Sequence, residues 1–257
     1  MTSMQRALRA GAIAYIALAA ACGGKGGSGA APVSYPANYE PMSLDRSYSG
    51  SIAGGSIKRY GATVTAGTQY VVSLTGIVGA ADLVVYTDNT LTAHATCAAP
   101  NTGASGAAPE DCTVTATAST LYLTVSNPGS ANDSFRVRVA QQSAASGIQG
   151  SAGTPVVLTQ GSSWAGSVGG PAPASSYYAV TLTGTGSFSI NLTGLQSPED
   201  VAMAVFTDPG FTTPESGCAY TGLGGVAPEE CVVAAGTYYI QVTNNSGAGG
   251  AYLLTAD

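Results

Sequence analysis

The chain has 257 residues, enough for one large domain or two of ordinary size. Hydrophobic residues make up 45%, which supports a core, but charged residues make up only 9%, against roughly 25% in an average soluble domain. With 8 basic and 14 acidic residues, a net charge of −6 and a single histidine, His94, the composition excludes a nucleic-acid binder and most metal-hydrolase and triad chemistry.

In chain order, residues 1–9 carry Arg6 and Arg9 and no acid, and residues 10–21 form an uncharged, Ala-rich run. A basic start, a short apolar stretch and small residues before a cut describe a secretory signal over 1–21. The apolar run is too short to span a bilayer, which takes roughly 20 residues. The sequence LAAAC at 18–22 resembles the lipobox of bacterial lipoproteins, in which the signal is cut before a diacylated cysteine whose new amine is also acylated. That resemblance implies lipidation of Cys22, with Leu18 one place earlier than usual and Ala19 in its position. An ordinary signal peptide with a leftover thiol is the competing reading. Five cysteines weigh against it, because lipid on Cys22 leaves an even four. Gly23 after the cysteine, where Asp would mark the inner membrane, implies the outer membrane or cell surface. Several acyl chains anchor stably where one is marginal. Residues 22–40 then read as a tether, since GGKGGSGAA at 23–31 cannot bury enough apolar surface to fold.

The rest is one unit written twice. Pro41 and Leu44 are answered by Pro155 and Leu158, YSGSI at 48–52 by WAGSV at 164–168, and Tyr60 by Tyr178. DLVVYTD at 82–88 is matched to DVAMAVFTD at 200–208, two residues longer. APEDC at 108–112 answers APEEC at 227–231, and TLYLTV at 120–125 answers TYYIQV at 237–242. The offset stays near 118, as between Tyr60 and Tyr178. Two domains follow, at 41–140 and 154–257, joined by a small, polar linker at 141–153 that lets them move. Short runs rich in β-branched and aromatic residues, such as FRVRV at 135–139 and SFSINL at 187–192, alternate with the period of a half-buried strand. Turn clusters separate them, and the expected class is all-β: two tandem β-sandwiches of jelly-roll or immunoglobulin-like type.

These elements make each copy similar to the bacterial pre-peptidase C-terminal domain. They are the aromatic-led strand at Tyr60 and Tyr178, the aspartate-led apolar strand, and the late strand AGTYYIQV at 235–242, degraded to ASTLYLTV at 118–125. The resemblance covers about four fifths of the chain and implies a small β-sandwich. Members usually accompany a secreted peptidase, and some bind calcium or matrix polymers. Here no peptidase domain stands before the repeats, and paired cysteines are not a general feature of the family.

Cys97 and Cys112 fall in one copy, Cys218 and Cys231 in the other, at matching places. Local disulfides are the simplest of the three connectivities, and the spacings are too long for a four-cysteine zinc site. Acids are matched as Asp82 with Asp200, Asp88 with Asp208, and Glu110–Asp111 with Glu229–Glu230. Asp82, Asp88, Asp200 and Asp208 are candidate calcium ligands, since calcium takes six to eight oxygens. Solvated turn residues are the plainer reading. His94 lies in a turn-rich segment with no counterpart near Cys218 and no nucleophile elbow. In the pairs Tyr177–Tyr178 and Tyr238–Tyr239, one ring of each must face outward, which offers a surface for glycan or protein. The expected protein is not an enzyme. It is a lipid-anchored binding or adhesion module for an envelope or extracellular polymer, or else a structural spacer that associates with itself.

Overall fold

A computed structural model describes residues 36–97, 106–142, 149–169, 172–218, 221–222, 225–248 and 250–257. The signal at 1–21, Cys22 and the tether up to residue 35 lie outside the described residues. Among the described residues no helix is long and apolar enough to cross a membrane.

The first copy supplies β1 (Glu40–Met42), β2 (Tyr48–Ile52), β3 (Ile57–Thr63), β4 (Gln69–Thr75), β5 (Asp82–Tyr86), β6 (Glu110–Thr115), β7 (Thr120–Ser126) and β8 (Asp133–Gln141). The second supplies β9 (Val156–Leu158), β10 (Ser163–Val168), β11 (Ala174–Leu182), β12 (Phe188–Thr193), β13 (Val201–Phe206), β14 (Glu229–Val233), β15 (Gly236–Asn244) and β16 (Gly250–Ala256). Sheets of order β1-β3-β7-β5 and β2-β8-β4-β6 form one sandwich, and β9-β11-β15-β13 and β10-β16-β12-β14 form the other, in the same topology. The pairs β1–β3 and β9–β11 are parallel. The chain is therefore all-β, two sandwiches in tandem.

Alternation builds each core. In β13, Val201, Met203 and Val205 are buried while Ala202, Ala204 and Phe206 are partly exposed. Leu83, Leu123, Leu74 and Val137 fill the first core, and Ile190, Ile240, Tyr178 and Tyr252 the second. Gly166 is required where β10 passes the Tyr252 ring, because a Cβ there would lie 2.4 Å from its nearest atom.

The first sandwich begins earlier than the tether reading allows. Tyr39 is buried, its hydroxyl donates to Asn89 O (2.9 Å), and its ring meets Tyr122 edge-on at 5.3 Å. An aromatic ring has enough surface to be drawn in, whatever the composition around it.

The sheet containing β4 and β8 faces the sheet containing β12 and β16. Val71, Ala140 and Leu253 form a small apolar cluster between them, with Ala165 against it. Around it the contact is polar and repeats itself across a pseudo-twofold. The Gly76 N–H donates to Glu230 Oε1 (2.8 Å), and the Gly194 N–H donates to Asp111 Oδ2 (2.7 Å). Gly76 and Gly194 close equivalent strands, so each sandwich offers the same group to its twin. Arg138 pairs with Asp257, and Arg136 donates to Ser189 Oγ (3.0 Å) and Ser187 O (2.8 Å). The linker at 141–153 is pinned at both described ends instead of being loose throughout. Gln142 is buried and its Nε2 donates to Gly194 O (2.8 Å), while Gln149 O accepts from the Tyr177 N–H (2.8 Å).

Candidate functional site: the repeated acids and the outer aromatic face

The Ala-Pro-Glu-Asp/Glu-Cys motif opens β6 and β14, and successive side chains there point to opposite faces. The first acid turns into its own sandwich. Glu110 Oε2 accepts from the Leu83 N–H of β5 (2.7 Å), and Glu229 Oε2 accepts from the Met203 N–H of β13 (2.7 Å). The second acid, Asp111 or Glu230, turns outward and closes on the other sandwich. Burial pushes the Asp111 carboxyl up to about 7, with the bond from Gly194 pulling the other way. Burial also raises Glu230, against the bonds from Ser189 and Gly76 and the Arg136 charge. These acids hold the fold together.

The third group of the motif completes the predicted disulfides. Cys97 bonds to Cys112 and Cys218 to Cys231, at sequence separations of 15 and 13. Two such bonds go with an oxidising compartment and hence with an exported protein.

The candidate calcium ligands are not brought together. Asp88 caps the loop after β5, with Oδ1 accepting from Thr92 N–H (3.0 Å) and Ala93 N–H (2.8 Å) and the carboxylate also taking the Thr90 and Thr92 hydroxyls. Asp208 does the same for Gly210, Thr212 and Thr213. These bonds hold both carboxyls below the usual range, against a desolvation that raises them. Asp82 stands at the other end of β5, six residues away, which is about 20 Å along an extended chain. The pairing of Asp82 with Asp200 is corrected by the register. Asp82 lies opposite Ser126 and Ala202 opposite Thr243, so Ala202 is the structural counterpart of Asp82. Asp200 precedes its strand and accepts from the Gly225 N–H (2.7 Å). Among the described residues no group of three or more His, Cys, Asp or Glu side chains could hold a metal ion.

The adjacent tyrosines divide as strand geometry requires. Tyr178 and Tyr238 are buried, with the Tyr178 and Tyr252 hydroxyls hydrogen-bonded at 2.5 Å, while Tyr177 and Tyr239 lie on the outer face of the β9-β11-β15-β13 sheet. Register sets Tyr239 beside Phe206. Phe211, in a left-handed conformation (φ 56°), folds back over them. Its ring centroid lies 4.9 Å from Tyr177, 5.6 Å from Phe206 and 5.9 Å from Tyr239, each edge-on. Gln241 on the same face donates to Ser175 Oγ (3.0 Å). The tyrosine pattern makes half of this cluster readable; Phe206 and Phe211 have no such signal, because a loop brings Phe211 back. The first copy places Tyr86 and Tyr122 side by side, but Arg59 and Leu91 stand where the second copy has Tyr177 and Phe211. His94 packs edge-on against Tyr86 at 4.8 Å and is exposed.

No protein-family model and no curated protein matches the chain. Among solved structures, it is similar to the pre-peptidase C-terminal domain of collagenase from Bacillus anthracis, with 14% identity over 45% of this chain and 99% of that one and a TM-score of 0.31. It is also similar to the CUB1-EGF-CUB2 domain of human MASP-1/3, with 10% identity over 81% and 99% and a TM-score of 0.25. A third is the PBSX exported protein XepA, with 8% identity over 82% and 85% and a TM-score of 0.27. The domain that the sequence motifs resemble is thus among the similar solved folds. At these scores the likenesses carry no argument about activity.

Proposed function

We propose that the chain is a non-catalytic binding module of the bacterial envelope, anchored by lipid on Cys22, that holds an envelope or extracellular polymer on the outer aromatic face of its second sandwich. The observation behind this reading is the cluster of Tyr177, Phe206, Phe211 and Tyr239 on one sheet face. Flat rings offer a large contact area at low entropic cost, and the Gln241 amide and Ser175 hydroxyl beside them supply polar contacts that fix orientation. Export is supported by the two disulfides and the signal-like start, and anchoring by the odd fifth cysteine.

The test is cosedimentation of the purified chain with peptidoglycan sacculi, insoluble cellulose and insoluble chitin. The wild type is expected to pellet with at least one polymer. The Tyr239→Ala/Phe211→Ala variant is expected to lose about tenfold in affinity, as removal of aromatic contact area costs more than 1 kcal/mol in a binding face. Failure of the wild type to pellet with any of them, or equal binding by the variant, sinks the reading. The anchor fails separately if labelled palmitate is incorporated equally by a Cys22→Ala chain.

A further inference from the structure

The two sandwiches share a topology, so each serves as a control for the other. A group that one copy needs only for folding should have a counterpart in its twin. One cleft breaks that rule. It has a volume of about 460 Å³, lies around the edge strand β6 of the first sandwich, and its wall includes Gln69, His94, Thr96, Thr113, Thr115 and Thr117. Among the described residues no Asp, Glu, Lys or Arg lines it.

The disulfide cysteines fix the equivalence, because Cys112 lies opposite Val72 and Cys231 opposite Ile190. Counting along the strands, Thr113 is replaced by Val232, Thr115 by Ala234 and Gln69 by Ser187. The bridges Tyr86–His94 and Phe206–Pro214 put Pro214 in the place of His94. The turn that carries Thr117 is two residues shorter in the second copy, between Ala235 and Thr237. The second sandwich therefore closes the same sheets without the polar lining, which the fold does not require.

Thr113 carries a second observation. It is fully buried, and its Oγ1 has no hydrogen-bond partner. A buried hydroxyl left unpaired is destabilising, and the twin carries no hydroxyl at this position, where Val232 is exposed instead of buried. The Gln69 amide is also weakly engaged, with contacts to Gln196 of 3.5 and 3.4 Å. Hydroxyls and an amide both donate and accept. A site built from them without formal charge matches a ligand whose own groups both donate and accept.

We propose that this cleft is a binding site for a neutral oligosaccharide, present in the first sandwich and absent from the second. It is separate from the aromatic face and does not rest on the reading given to that face.

The experiment titrates the full chain with cellohexaose, chitohexaose and maltohexaose by calorimetry. Saturable binding of at least one is expected, weakened about tenfold in the Thr113→Val/Thr115→Ala variant, which installs the twin's residues. That variant should melt at or above the wild-type temperature, so lost binding cannot be lost folding. His94→Ala, at an exposed position, should also weaken binding. Each titration is repeated in a Tyr239→Ala/Phe211→Ala background, where the aromatic face no longer contributes. The proposal is overturned if none of the three sugars binds in that background, or if adding Thr113→Val/Thr115→Ala to it leaves binding unchanged. Tighter binding of a uronic-acid oligomer than of any neutral sugar also overturns it.

Discussion

At the scale of single residues, close approaches of backbone to ring make two glycines costly to change. Gly50 and Gly166 occupy the same position in the two copies, each under a ring, Phe135 or Tyr252. A Cβ at Gly50 would meet one Phe135 atom at 2.9 Å, whereas at Gly166 it would meet three Tyr252 atoms between 2.4 and 2.6 Å. Gly166→Ala must therefore displace a ring whose hydroxyl is bonded to Tyr178. Overpacking of this kind costs about 1–3 kcal/mol, a fall of several degrees in Tm for a chain of this size. Gly50→Ala should cost less. Equal melting temperatures for the two variants would show that Tyr252 yields as readily as Phe135.

At the scale of elements, the strands were legible because alternation is local. A buried face every second residue is written directly into FRVRV at 135–139 and TYYIQV at 237–242. Disulfide pairing was legible for a different reason, since duplication placed each pair at the same point of its copy. Two things were not. Asp82 and Asp200 both lead an apolar run, but register is set by partner strands, and it places Ala202 opposite Thr243 where Asp82 lies opposite Ser126. The polar face of β4 and β12, with Ser73, Thr75, Asn191 and Thr193, reads as solvated yet is buried against the other sandwich. Sequence pattern separates polar from apolar faces and cannot say what covers a polar one. The disulfides also set the strength of an element. Cys112 holds β6 to the loop that follows β5, and the closed loop of 15 residues corresponds to about 3 kcal/mol in the chain-entropy model. Cys97→Ala/Cys112→Ala should lose about that much in denaturant unfolding, with faster amide exchange along β6 before β14. Uniform exchange in both strands would mean that the two sandwiches unfold as one.

At the scale of the whole molecule, the buried carboxyls set how stability depends on pH. Burial raises Asp111 to about 7, and raises Glu230 and Asp257, the last against the charge and hydrogen bond of Arg138. A carboxyl whose folded pKa lies above its unfolded value binds more protons in the folded state between the two. Its contribution is most favourable in acid and declines as pH rises through that window. For Asp111 the window runs from about 4 to about 7, and the three units set an upper bound of about 4 kcal/mol. Asp133 works in the opposite sense. Burial raises it, but the N–H groups of Val78, Gly79, Ala80 and Ala81 together outweigh that and lower it. Stability from this site is lost as pH falls below the ordinary carboxyl range. The melting temperature is expected to peak near pH 4–5 and fall towards pH 7. Asp111→Asn, which keeps an acceptor for the Gly194 N–H, should flatten the fall. A wild-type profile that rises from pH 5 to 8 would contradict the assignment.

The face between the sandwiches leaves buried polar atoms unmatched, Asp111 Oδ1, Asn191 Oδ1 and Arg138 Nε among them. Two free molecules meeting through such a face would hold together poorly. Here the partner is covalently attached, and a short connection presents it at an effective concentration in the millimolar range. Joining the copies in one polypeptide thus removes most of the selective pressure to make their shared surface apolar. It also means that each half, once released, would expose a largely polar sheet with only a small apolar patch, Val71 and Ala140 on one half and Leu253 on the other. A proteolytic cut between the copies should therefore yield separated, soluble halves and leave little tendency to aggregate.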